Sequence, residues 1–192
     1  MTSNYYHIQG MTDWANAQAD LIIADPPFGL QYDGKASNYN RKAELVVDGY
    51  VEWDEDRYTE KVIELAQAIE NNLSATGSAL IFSGWNNGYL IHDVLATQHK
   101  HALNLEGKMY WSYNFAPYCT KRPAHNVYEV FWVTRDRKQW TYHNTCSTSH
   151  CTEGEANLSS LTFKRDYKQG MPKYPTRLPL LVQFHSTAFY YL

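Results

Sequence analysis

Four consecutive residues, Asp25-Pro26-Pro27-Phe28, combine groups that can hold and activate an amine on a flat ring. The Asp25 carboxylate and the Pro26 carbonyl can each accept one N–H of an exocyclic amino group, and the Phe28 ring can stack on the ring face. An amino group whose hydrogens are drawn toward acceptors presents its lone pair to an electrophile. The same four letters also form ordinary loops after strands, so the motif alone leaves both interpretations open.

A short apolar run positions this motif. Leu21-Ile22-Ile23 come directly before it. An apolar, β-branched run that stops at Asp-Pro-Pro predicts a buried strand over residues 20–24 and a stiff loop after it, because proline lacks the ladder N–H and fixes its own φ. Ligands of open α/β sheets bind at the carboxyl ends of strands, so the loop is expected at a ligand-binding edge.

The segments that follow predict the start of an α/β sheet. Apolar residues recur at helical spacing over residues 59–73, with Gly77 as a stop signal, and residues 78–83 predict a second buried strand. A strand, a helix and a strand make a βαβ unit with parallel strands. The turn at residues 83–88 either lines the pocket at this edge or only caps the next helix, which is predicted over residues 89–100.

Two further strands are predicted over residues 105–113 and 127–134, which are rich in aromatic and β-branched residues. No helix is predicted between them, so they should pair antiparallel. The fold class is therefore α/β with a mixed sheet. The 192 residues form a single domain, 1–192, in which residues 31–57 and 136–171 lack periodicity and are candidate lid loops.

Composition and motifs exclude several classes of protein. No apolar run approaches the ~20 residues needed to cross a bilayer, and no signal-peptide pattern opens the chain, so a cytoplasmic protein with no membrane partner is expected. Three cysteines argue against a disulfide framework. The phosphate-binding Gly-x-x-x-x-Gly-Lys, the hydrolase Gly-x-Ser-x-Gly and the zinc-protease His-Glu-x-x-His motifs do not occur.

The distribution of charge indicates where the chain could contact nucleic acid. The net charge is −3, so the chain would not bind nucleic acid through bulk electrostatics, and any such contact requires a local basic patch. Between residues 164 and 177 a single acid, Asp166, accompanies five basic residues, which is compatible with a nucleic-acid patch or with an ordinary solvated loop. These basic residues are Lys164, Arg165, Lys168, Lys173 and Arg177.

The cysteines and histidines allow one metal hypothesis. Cys146, His150 and Cys151, with Cys119 and His143, supply nitrogen and sulfur atoms of the kind that bind structural zinc. Their spacing does not match the usual Cys-x2-Cys pairs, and free cysteines are commonly just small buried residues. No metal site is therefore assigned from the sequence.

Taken together, the motifs resemble the permuted class, often called β, of the DNA adenine-N6 and cytosine-N4 methyltransferases. The Asp-Pro-Pro-Phe loop comes first, as in that class. The class continues with an Asn…Pro…Arg…Glu segment and a His-Pro-Thr-Gln-Lys-Pro-like segment. The matching residues here are Asn114, Pro117, Arg122 and Glu129, and then Tyr174-Pro175-Thr176-Arg177-Leu178-Pro179. The order and spacing of three motifs make this a more specific match than the first motif alone.

The resemblance implies a Rossmann-like methyltransferase fold with an antiparallel edge pair, and S-adenosylmethionine as methyl donor. It implies catalytic roles for Asp25, Pro26, Pro27 and Phe28 on a flipped base. Asp25 in place of the serine common in cytosine-N4 enzymes favours adenine N6. The loops at 31–57 and 136–171 would be lids or DNA-facing elements. Cofactor contacts fall to Asp25, Thr176 and Arg177, and DNA contacts to Lys121, Arg122, Lys164 and Arg165, although Lys121 and Arg122 also suit a plain surface turn.

One motif of the family is not found. The family continues with Asp-Pro-Phe-x-Gly-Ser-Gly, whose glycines let the backbone approach the cofactor, and no such segment occurs up to Leu192. The fold is therefore expected to be incomplete: either a second polypeptide supplies the missing cofactor half, or the chain is a truncated relative that does not bind the cofactor and is inactive alone. The alternative is a non-catalytic or partner-dependent DNA-binding module derived from such an enzyme. Membership of a restriction-modification system is a further implication of the resemblance.

Overall fold

The structure is a computed structural model that describes residues 18–29, 53–97, 100–113, 120–141 and 160–163. These residues form a five-stranded mixed sheet with two α-helices packed on one face. The elements in chain order are β1 (Ala19–Ala24), a 3-10 turn (Glu55–Arg57), α1 (Tyr58–Asn72), β2 (Leu73–Ser83), α2 (Gly88–Thr97), β3 (Asn104–Tyr113), β4 (Val127–Thr134) and β5 (Ser160–Phe163).

The strand order is β1-β2-β4-β3-β5. β1 and β2 run parallel and are joined by α1, which confirms the predicted βαβ unit. β4 runs antiparallel to both β2 and β3, so the predicted antiparallel pair is also confirmed. Beyond that pair, β5 adds a short parallel strand next to β3. No strand was predicted there, because β5 has only four residues and lies in the otherwise polar segment 136–171.

The boundary between α1 and β2 differs from the prediction. The helix ends at Asn72 and the strand begins at the next residue, so Gly77 lies inside β2 and is not a helix stop. A Cβ on Gly77 would lie 2.8 Å from the carbonyl oxygen of Ala19 on β1. Glycine is needed here because the two backbones approach closely at a register shift between Ala19 and Leu21.

The core lies between the helices and one face of the sheet. β1 contributes Ile22 and Ala24 to it, and α1 and α2 contribute the apolar stripes that predicted them. The central strand β4 contributes Phe131, which is fully buried. Alternate residues such as Ile23 point to the opposite face, where they form a smaller cluster with Phe82, Trp111 and Val130. In the part of the chain described, no helix has the length and apolar character needed to span a membrane.

The register brings four chain segments to one edge of the sheet. β1, β2 and β3 all end there, and β4 starts there, because Ser83 pairs with Glu129 and Ser112 pairs with Val127. The Asp25 loop, the turn after β2 and the segment that leads into β4 are therefore neighbours. We call this the carboxyl edge.

Candidate active site

The loop after β1 is held in place by the turn after β2. Asn87 Nδ2 donates a hydrogen bond to the carbonyl oxygen of Phe28 at 2.9 Å, and Asn86 Nδ2 donates to the same oxygen at 3.0 Å. Asn87 is buried, and its backbone carbonyl oxygen accepts hydrogen bonds from the backbone N–H groups of Leu90 and Ile91 in the first turn of α2. The loop is thus tied to the start of a helix through side chains on neighbouring positions of one turn.

Two glycines allow this close contact. Gly29 has a φ of +66°, and a Cβ there would lie 2.9 Å from the Tyr58 ring and 2.5 Å from Asn87 Nδ2. A Cβ on Gly84 would lie 3.1 Å from the Phe28 ring. Gly29 needs a left-handed backbone, which glycine adopts at low cost, and Gly84 leaves little room for a Cβ beside the Phe28 ring.

The Asp25 side chain is half-buried at the end of β1. Burial raises the pKa of this carboxyl from 3.8 to about 6. No cation among the described residues forms an ion pair with it that would offset the loss of water. A desolvated carboxylate that remains partly reachable is a strong acceptor for the hydrogens of a ligand amine.

The Phe28 ring is braced on one side and half-exposed. It packs against the Tyr128 ring of β4, with centroids 5.6 Å apart and planes tilted by 45°. Gly84, in the turn after β2, lies next to it. Pro26 is buried and Pro27 half-buried, so the four residues of the motif form a stiff loop with its carboxyl and its ring both accessible.

Glu129 lies at the carboxyl edge on β4, and its carboxylate is close to β3 and to the start of α2. Its Oε1 accepts a hydrogen bond from Lys108 Nζ at 2.8 Å, which links β4 to β3. The hydrogen bond to Glu129 raises the pKa of Lys108 above its ordinary value. The Glu129 carboxylate also lies against Gly88, where a Cβ would overlap it, at the positive N-terminus of α2. Glu129 therefore lies where β3, β4 and the start of α2 meet.

The remaining predicted site residues divide into two groups. Lys121 and Arg122 lie exposed in the segment that leads to β4, at the carboxyl edge, and the Arg122 guanidinium lies over the ring of Trp85. The others lie outside the described residues and stay predictions: Thr176, Arg177, Lys164, Arg165, Asn114 and Pro117. The zinc hypothesis likewise rests on residues outside the described ranges, and within those ranges no His, Cys, Asp and Glu cluster could hold a metal.

The sequence did not predict that Asn86 and Asn87 hold the Asp25 loop. The turn at 83–88 was expected either to line the pocket or to cap a helix, and it does contact the Asp25 loop. Two adjacent asparagines after a strand were the available signal, because Asn side chains readily bond nearby backbone groups.

An open cleft of about 500 Å³ lies at the opposite edge of the sheet, lined in part by Glu70, Asn104 and Arg135. Its polar groups bond to one another and to backbone. Arg135 Nη1 donates to the Leu73 carbonyl at 2.7 Å, and the carboxylate of Glu70 accepts the Ala102 N–H at 3.1 Å. The hydrogen bonds of the cleft connect neighbouring elements of the fold. The groups that could bind an amine lie instead at the carboxyl edge.

Replacing Asn86 or Asn87 by Ala should loosen the loop modestly. Each variant removes one donor to the Phe28 carbonyl but leaves the other, so each is expected to lower the free energy of unfolding by about 1 kcal/mol. The double variant should lose more than the sum, because the carbonyl then has neither donor. Urea denaturation of the four proteins measures this coupling. Strict additivity would show that the two side chains act independently.

The chain was compared with models of known protein families and with curated protein sequences. A family model described as DNA methylase matches residues 19–179. No curated protein sequence matches the chain with significance.

Solved structures share the fold. The PvuII DNA methyltransferase (cytosine-N4-specific) is 15% identical, with 94% of this chain and 68% of that chain covered at a TM-score of 0.59. M1.HpyAVI is 13% identical, with 86% of this chain and 68% of that chain covered at a TM-score of 0.50. A complex of M1.HpyAVI with SAM is 14% identical, covers 81% of this chain and 61% of that one, and scores 0.49. This chain thus spans about two-thirds of each.

Proposed function

Because the chain belongs to the DNA methylase family, we propose that it methylates an exocyclic amino group of a DNA base, with S-adenosylmethionine as donor. The proposed target is N6 of adenine in preference to N4 of cytosine. What supports the preference is Asp25 at the position where the resemblance associates serine with cytosine-N4 enzymes.

One observation carries the proposal. The Asp25 carboxyl and the Phe28 ring stand together at the carboxyl end of β1, and both are half-exposed on a loop that two asparagines hold rigidly. A sealed position for either group would have left no access for a base. Their accessibility fits a flipped base whose amino group meets the carboxylate while its ring lies on Phe28.

The chemistry of this site follows from its acceptors. S-adenosylmethionine supplies an electrophilic methyl group on a sulfonium, so the reaction needs a nitrogen lone pair pointed at it. Asp25 and the Pro26 carbonyl accept the two amine hydrogens and so aim the lone pair. With the donor bound, the nitrogen would gain the methyl carbon as the carbon–sulfur bond of the donor breaks, and the Asp25 carboxylate would take up the surplus proton and pass it to water. Phe28 holds the ring plane.

Two residues are proposed to contact the methyl donor. Thr176 and Arg177 would border it, as the resemblance implies. The chain spans about two-thirds of the length of the similar structures.

Expression of the chain in a bacterial host that lacks its own DNA methylases tests the proposal. Mass spectrometry of the digested genomic DNA should detect N6-methyladenine with the wild type and none with Asp25→Ala. Detection of N4-methylcytosine instead would contradict the adenine preference. If neither product forms although the purified chain binds DNA, the proposed activity is contradicted and the chain is a DNA-binding module.

A further inference from the structure

Three exposed side chains form a stack at the carboxyl edge. The rings of Trp85 and His125 lie nearly parallel, with centroids 4.8 Å apart and an interplanar angle of 6°. The Arg122 guanidinium carbon lies 5.8 Å from the centre of the Trp85 ring. Trp85 is still 59% exposed, and the other two are exposed as well. We call these three residues the aromatic stack.

Other exposed apolar side chains lie at the same end of the sheet. Among the described residues, the exposed large hydrophobic side chains are Trp85, Tyr89, Tyr110 and Val127. Trp85 and Tyr89 lie in the turn after β2 and the first turn of α2, Val127 begins β4, and Tyr110 is near the end of β3. A concentration of exposed aromatic rings at one edge is the surface expected of a binding face.

The segment that carries Arg122 and His125 is positively charged, although the chain carries a net charge of −3. Residues 120–127 are all exposed and include Lys121 and Arg122 but no acidic residue. A ligand for this surface must offer a flat ring and an anion together. A nucleotide does so, because its base stacks on aromatic rings while its phosphate meets Lys or Arg.

The stack has a fixed position relative to the proposed target-base loop. Trp85 lies in the turn whose Asn86 and Asn87 hold the Phe28 carbonyl. His125 lies three residues before Tyr128, whose ring packs on the Phe28 ring. Both sides of the stack therefore lie within three residues of side chains that contact Phe28, which favours a ligand that reaches both Phe28 and the stack.

We propose that the aromatic stack binds the DNA strand beside the target nucleotide, with a base or sugar against the Trp85 and His125 rings and a phosphate on Arg122. This inference rests on the proposed function for its choice of DNA. It assigns Trp85 and His125 a role in DNA binding that the sequence motifs did not indicate.

Fluorescence anisotropy with a short fluorescein-labelled DNA duplex, over a series of salt concentrations, tests the inference on the full chain. Trp85→Ala and Trp85→Leu should weaken binding about five- to a hundredfold at every salt concentration, because stacking is lost and no charge is removed. Trp85→Phe should retain most of the affinity. Arg122→Ala should instead reduce the slope of log affinity against log salt by about one, because one phosphate contact is lost.

Lys138→Ala is the matched control, since Lys138 is exposed but lies at the opposite edge of the sheet, and wild-type binding is expected. His125→Ala serves as a second stacking variant if Trp85→Ala perturbs the fold, and it should cause the same salt-independent loss. Wild-type affinity in Trp85→Ala and His125→Ala, with DNA bound by the wild type, would overturn the inference and leave the proposed methylation untouched. Trp85-dependent DNA binding without any methyl transfer would support the inference and contradict the proposed activity.

Discussion

Replacing Asp25 by Asn is expected to reduce methyl transfer by at least 10²- to 10³-fold and, at the same time, to stabilise the folded protein. Asparagine has nearly the same volume but carries no charge, so its amide oxygen is a weaker acceptor for the amine hydrogen and cannot take up the surplus proton. Burial raises the pKa of Asp25 to about 6, so the folded state bears the cost of a desolvated carboxylate near neutral pH. Its removal should raise the free energy of unfolding by about 1 to 3 kcal/mol.

The stability of the folded protein should change with pH because of Asp25. The pKa of Asp25 is raised from 3.8 to about 6 in the folded protein, so the folded state binds the proton more tightly than the unfolded state. The stability that protonated Asp25 contributes to the folded state is therefore complete below a pH of 3.8 and is lost as the pH rises through about 6. Methyl transfer should follow the opposite course and fall as the pH drops through about 6, because the protonated carboxyl is a poor acceptor for an amine.

Two measurements check these expectations. Urea denaturation of the wild type and of Asp25→Asn should show a difference in free energy of unfolding that is large in mildly alkaline solution and small in acid. Labelled-methyl transfer to DNA, measured over the same pH range, should disappear in the variant. A stability difference that does not change with pH would show that the Asp25 carboxyl titrates in its ordinary range and that burial does not act on it.

Replacing Gly29 by Ala is expected to destabilise the folded protein by about 2 to 4 kcal/mol. A left-handed backbone costs an L residue about 1 to 2 kcal/mol, and overpacking adds a similar amount. The φ of Gly29 is +66°, and the new methyl group would lie 2.9 Å from the fully buried Tyr58 ring and 2.5 Å from Asn87 Nδ2. The displaced Asn87 could no longer hold the Phe28 carbonyl, so methyl transfer should fall with stability.

Gly107→Ala is the matched control, because nothing lies within 4 Å of a Cβ built on Gly107 in β3. A glycine in a strand interior is less favourable than alanine by roughly 0.5 to 1 kcal/mol, so this variant should be neutral or slightly more stable. Thermal and urea denaturation of the two variants make the comparison. Equal stability of Gly29→Ala and the wild type would mean that the loop has another conformation and that the asparagine contacts do not hold it.

Local patterns in the sequence predicted most of the elements that build the carboxyl edge. The run Leu21-Ile22-Ile23 before two prolines indicated β1, and the apolar stripes of α1 and α2 indicated both helices. Elements whose buried face repeats within a few residues carry their own signal. β5 has no such signal, since its four residues become a strand only through pairing with the end of β3. The N-terminal part of β2, which includes Gly77, is a strand because it pairs with Ala19 of β1, whose backbone passes close to Gly77.

The chemistry of the site divides in the same way. The identity of Asp25-Pro26-Pro27-Phe28 and its place after a buried strand determined, without coordinates, which atoms could hold an amine. Only the tertiary structure decided that Asn86 and Asn87 hold the loop, that burial raises the pKa of Asp25, and that Trp85 stacks on His125. These properties arise between residues far apart in the chain, and hydrogen bonds, desolvation and ring stacking depend on distances in space that no local periodicity encodes.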